Sequence, residues 1–113
     1  MLVKPYAEVP LEDVDMEGVA DTGVRWLIAQ KDGASNFAMR LFEVQPGGHT
    51  PFHAHEGEHE IFIVEGTGQL NTEKGPVPLS PGVFAFVPEG EKHQFENTGD
   101  TVLKFLCVIP NRG

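Results

Sequence analysis

Short apolar runs broken by glycine and proline set the tightest limit on what this chain can become. Its 113 residues hold 13 glycines and 9 prolines. Runs such as Ile61-Phe62-Ile63-Val64 and Val83-Phe84-Ala85-Phe86-Val87 stop at turn-forming residues within a few positions. Helices of ordinary length have no room between such breaks, whereas strands do. The expected fold class is therefore all-β. Strands are expected over residues 24–30, 36–44, 50–55, 59–65, 69–73, 77–79, 83–87, 93–96 and 101–109. Between them lie turns such as Lys31-Asp32-Gly33, Gln45-Pro46-Gly47-Gly48 and Gly66-Thr67-Gly68. Strands repeating every 8 to 12 residues or so suit a small barrel or sandwich.

The length accommodates one domain. Residues 1–23 set Lys4 against Glu8, Glu12, Asp13, Asp15, Glu17 and Asp21 and read as an irregular acidic arm. Residues 24–113 form the expected barrel. The formal charge of −9 is the wrong sign for holding a phosphate backbone, so nucleic acid is not an expected partner. No apolar stretch approaches the roughly 20 residues that cross a bilayer, and the first residues lack the apolar core of a signal peptide. A cytoplasmic protein with no membrane partner is expected. The single cysteine, Cys107, excludes an internal disulfide and a cysteine-rich zinc site. A domain this small has a modest core, and with an arm able to add an edge strand a homodimer is expected, through exchanged or paired arms or edges.

The chemical signal lies in the histidines. His53, His55 and His59 fall close together, and side chains at i and i+2 of a strand share a face, so His53 and His55 can share one ion. Gly57 lets the strand opened by His59 return beside them. His93 begins a later strand and reaches the cluster only through long-range closure. His49, beside Gly48, lies outside this spacing and is expected at the surface.

The stretch from Gly47 to Gly66, with His53 and His55, resembles the first motif of the cupin superfamily. Gly82, Pro88, Gly90, His93 and Asn97 resemble its second motif at every spacing. The resemblance implies a small cupin-type double-stranded β-helix, a jelly-roll barrel. One position departs from the pattern: where the family places an acidic ligand before the closing glycine, this chain has His59. Glu60, the next residue, is then expected to face away. The ligand set implied is four imidazoles, His53, His55, His59 and His93. This is similar to small single-domain cupins with a tetra-histidine site, and segments such as 36–42, 58–62 and 105–110 resemble a manganese-containing member.

Imidazole donors suit manganese, iron, zinc, nickel, cobalt and copper, and the resemblance favours manganese or iron. Metal release is expected as pH falls toward the ordinary imidazole range of about 6.5. Strand alternation places Ile61, Phe95, Phe105 and Cys107 on the inner face as candidate walls of a substrate pocket. Arg40 sits on a strand that is apolar on both faces; pointing inward, it would anchor a substrate carboxylate. The expected function is that of a dioxygenase-like oxidoreductase acting on a small organic substrate at this metal. Two alternatives stand beside it: a metal-dependent binding or sensing domain without turnover, and a metal-dependent isomerase or lyase.

Overall fold

The computed structural model describes residues 1–111. Nine strands follow in chain order: β1 (Glu12–Asp13), β2 (Ala20–Ile28), β3 (Phe37–His49), β4 (His59–Glu65), β5 (Gly68–Thr72), β6 (Gly75–Leu79), β7 (Phe84–Val87), β8 (His93–Glu96) and β9 (Leu103–Pro110). The helical content among the described residues is two single turns of 3-10 helix, Tyr6–Glu8 and Gln30–Asp32. No helix there is long and apolar enough to cross a membrane. The class is all-β, as expected, and the strands curl into a jelly-roll barrel. All pairings are antiparallel in the order β6-β5-β8-β3-β9-β4-β7, with β2 also on β3 and β1 on β2.

Alternation builds the core. In β9, Leu103, Phe105 and Cys107 are buried, while Lys104 and Leu106 between them and Val108 after them are only partly so. Ile61 and Ile63 of β4, Leu70 of β5 and Phe95 of β8 meet that inward face. Phe105 stacks between Phe42 and Phe95, with ring centroids 5.2 and 4.3 Å away. At Gly66 the backbone has φ +83°, and a Cβ would collide with the Val102 carbonyl. Only glycine closes that turn.

Two local expectations are corrected. No turn occurs at Gln45-Pro46-Gly47-Gly48, because β3 runs on to His49. Ala20 pairs with His49 and Thr22 with Val44, so the extra residues are absorbed as a bulge, and β3 is held again at His49 by Ala20 of β2 and Glu96 of β8. The strand expected over 50–55 reduces to a single bridge between His53 and His93. Pro51 lacks an N–H, and Phe95 donates its N–H to the Thr50 hydroxyl in place of a backbone carbonyl (2.9 Å).

The strand expected from Val24 begins at Ala20, so the division at 23/24 falls inside β2. The arm folds onto its own barrel. β1 pairs with β2, Val9 is buried, and Arg25 donates to the Val9 carbonyl and to Glu43 (2.7 Å). Tyr6 lies against both Arg25 and Lys104, 5.7 and 5.3 Å from its ring centroid.

Candidate metal centre

The loop carrying His53 and His55 is irregular, and its position comes from hydrogen bonds to the turn that precedes β8. The Gly90 N–H donates to the His55 carbonyl (3.1 Å), the His93 N–H to the His53 carbonyl (3.4 Å), and the Gly57 N–H to the Glu89 carboxylate (2.5 Å). Gly57 itself has φ +81°. These contacts supply the long-range closure that His93 required.

The four imidazoles come together. Ring centroids are 4.7 Å apart for His53 and His55, 5.0 Å for His55 and His59, 5.3 Å for His55 and His93, and 5.6 Å for His59 and His93. His93 is buried, and its Nδ1 lies 2.9 Å from the Glu91 carbonyl, which can only accept. Nδ1 therefore carries the proton and Nε2 keeps a free lone pair, the arrangement a metal-binding histidine needs. Burial, then the neighbouring His93, His53 and Arg40, lowers the pKa of His55 to about 4. Burial and Arg40, followed by His55 and His93, lower His59 to about 4 as well. Both rings are neutral at physiological pH, with proton competition starting lower than the ordinary value of 6.5 would give.

The donor chemistry fits a divalent cation: four imidazoles, two of them kept neutral by burial, and a fixed tautomer at His93. Among the described residues no set of three or more His, Cys, Asp or Glu side chains is arranged as around a bound ion. His55 and His59 are instead stacked with their rings 17° from parallel. Glu60 is exposed on the outer side of β4. His49 is half-buried rather than at the surface, where Gln94 and the Thr50 carbonyl meet its Nδ1.

Beside the histidines lies a cavity of about 460 Å³. Phe42, Phe95, Phe105, Cys107, Ile109, Trp26 and Arg40 line it. The Arg40 guanidinium lies over Phe42 (4.8 Å) and Trp26 (5.4 Å), and Nη2 donates to the Cys107 sulfur (3.1 Å). Its Nε is buried with no partner. Cys107 also lies 3.5 Å from His59 Nδ1; burial pushes its thiol up against the opposing pull of Arg40. Ile61 does not line the cavity. It lies opposite Cys107 one strand away, 3% exposed, and packs into the core beneath it.

Sequence reasoning missed Trp26, Val14 and Met16. Val14 and Met16 belong to the arm yet wall the cavity, a contribution that an aperiodic segment does not announce. Trp26, the one tryptophan, stands two residues from Val24 on the same face of β2, and that parity was the available signal. A wider outer compartment of about 670 Å³ shares Trp26, Glu56, His59 and Ile109 with the cavity and opens toward Lys31 and Asn111.

A jelly roll with a histidine-bordered cavity at its open end defines a class, and this chain belongs to the cupin domain family, which it matches over residues 40–109. An oxalate-binding protein of Thermotoga maritima is 41% identical over 86 residues, 73% of this chain and 70% of that protein. The structure of the polyketide cyclase RemF from Streptomyces resistomycificus superposes with a TM-score of 0.94 and 38% identity, covering 99% of this chain and 80% of the other. A predicted oxalate decarboxylase of Thermotoga maritima superposes at 0.85 with 30% identity, over 98% of this chain and 100% of its own.

Proposed function

We propose that this cupin is a metal-dependent enzyme acting on a small, flat, carbonyl-bearing organic acid, and that its reaction is a ring closure of the polyketide cyclase kind. The observation that carries this reading is the cavity: lined by four aromatic side chains, bordered by histidines, with the buried Nε of Arg40 still lacking an acceptor. The likeness to RemF over nearly the whole chain supports it. His53, His55, His59 and His93 would hold the ion, with manganese or iron favoured by the resemblance and zinc, nickel, cobalt and copper also suited to imidazole. A bound divalent ion supplies Lewis acidity toward a carbonyl oxygen.

The chain's own residues do the rest. Phe42, Phe95, Phe105 and Trp26 give the cavity aromatic walls that exclude water. Arg40 receives its acidic group and fixes which carbonyl faces the histidines. Cys107 stays a protonated thiol, because its burial outweighs Arg40, and serves as wall rather than nucleophile.

The dioxygenase-like reading is second, favoured by four imidazole donors beside apolar walls. Metal-loaded protein given an aromatic-forming carbonyl chain, with and without air, separates the two. Ring product formed equally without oxygen supports the cyclase, and oxygen uptake in step with product supports the dioxygenase. Ligand-induced stabilisation with no product, as the name of the oxalate-binding relative would suggest, makes it a binding domain.

A further inference from the structure

The acidic arm interrupts its run of charge at two positions, and both reach the cavity. In Glu12-Asp13-Val14-Asp15-Met16-Glu17 the four acids are exposed, while the two apolar side chains line the cavity beside the histidines. The alternation begins in β1, where Asp13 pairs with Gly23. The Val14 N–H still donates to the Thr22 carbonyl (2.9 Å), so the chain leaves the strand with its parity kept, and positions 14 and 16 fall on one side.

The segment is then braced where Met16 stands. The Val19 N–H donates to the Met16 carbonyl (3.3 Å), closing a turn that contains Gly18. Gly18 lies against Pro51: a Cβ added to it would be 3.4 Å from the proline Cβ. Pro51 also lines the cavity, two residues before His53. Val14 is half-buried, whereas Met16 is 45% exposed. A side chain that walls a cavity and still meets water stands at its mouth. The two residues differ in stiffness as well. Valine is β-branched and held near one rotamer, while methionine has three rotatable bonds and a sulfur that packs well at ring edges. Val14 is a fixed wall and Met16 an adjustable one.

The cavity is not closed in this way throughout. Trp26, Glu56, His59 and Ile109 border both the cavity and the outer compartment of about 670 Å³, but neither Val14 nor Met16 borders that compartment. A ligand anchored at Arg40 has room to lengthen past Trp26. One that broadens toward the arm meets Met16.

We propose that Met16, backed by Val14, sets the width of the acid that this site accepts: flat molecules that extend past Trp26 enter, and molecules of the same size that spread toward the arm are turned away. The inference rests on the reading of the cavity as the seat of a flat organic acid held at Arg40, and it names the shape of that acid.

Two isomers separate shape from size. In anthracene-2-carboxylate the rings run on from the acid group, and in anthracene-9-carboxylate they spread to either side of it. Calorimetric titration with each is carried out on the full chain as wild type, Met16→Ala and Met16→Leu, with Arg40→Gln to locate the binding. Met16 is half exposed, so the variants keep their fold, checked by melting curves; Met16→Thr replaces Met16→Ala if it does not fold. The wild type should bind the long isomer about tenfold or more tightly than the broad one. Met16→Ala should tighten the broad isomer about tenfold and leave the long one within about twofold, while Met16→Leu, of similar volume, keeps the wild-type order. Arg40→Gln should weaken both. Equal affinities in the wild type, a preference that Met16→Ala leaves unchanged, or a Met16→Leu that behaves as Met16→Ala overturns this inference alone. Binding of neither isomer, or binding that Arg40→Gln does not weaken, overturns the acid-binding reading together with it.

Discussion

At the scale of single residues, His93 and Arg40 carry the most specific expectations. His93 is buried with its tautomer set by the Glu91 carbonyl, so His93→Ala removes the best-ordered donor. Its metal content, read by mass spectrometry on folded protein, should fall well below that of the wild type; full retention would remove His93 from the ligand set. Arg40→Gln keeps a polar side chain but loses the charge. If it anchors an acidic group, kcat/KM should drop about 10- to 100-fold, chiefly through KM, for the loss of a charge-assisted hydrogen bond. Metal content should not change, and an unaltered KM would reassign Arg40 to packing against Phe42 and Trp26. The histidine spacing was legible in the chain because ligands cluster along it. The direction of Arg40 was not, since β3 is apolar on both parities and only pairing with β9 aims it at Cys107.

At the scale of elements, Asn97 deserves more weight than its place in a turn suggested. It is 2% exposed, and its amide donates to the Val44 and Thr101 carbonyls, both at 2.8 Å, while its oxygen accepts from the Gly99 N–H. One side chain thus ties β3 to the loop between β8 and β9. Asn97→Ala leaves those groups unsatisfied and should cost about 2–3 kcal/mol in denaturant unfolding; a loss below about 0.5 kcal/mol would mean that water replaces it. Strands β4 and β8 have the bounds expected from the chain, because alternation and flanking glycines or prolines agree there. The 45–48 turn and the 50–55 strand were misread for one reason: glycine and proline mark a bulge or an irregular loop as readily as a turn. Only the strands on either side decide which.

At the scale of the whole molecule, the low pKa values of His55 and His59 become a statement about stability. Unfolded, each takes up a proton near 6.5; folded and free of metal, each does so only at about 4. The unfolded state binds more protons in between, so stability is complete above about 6.5 and declines as pH falls toward about 4. The melting temperature of metal-free protein should fall across that window, and His55→Gln/His59→Gln should flatten the fall. A wild-type melting temperature constant from pH 7 to about 4 would contradict the burial of these rings.

The all-β class and the clustering of His53, His55 and His59 follow from local information: the period of apolar residues, the punctuation by glycine and proline, and the spacing of imidazoles. These are properties of neighbouring residues, so a linear text holds them. His93 joins the other three only through the hydrogen bonds that close its turn onto their loop. What surrounds the histidines is another matter. Arg40, Trp26, Val14, Met16 and Cys107 stand far apart in the chain, and the cavity they share exists only because β2, β3 and β9 lie side by side and the arm folds back across them. The exposure of Phe84 and Phe86 on β7 has the same origin: both are plain in the chain, but that they are left outside is settled by the order of the strands.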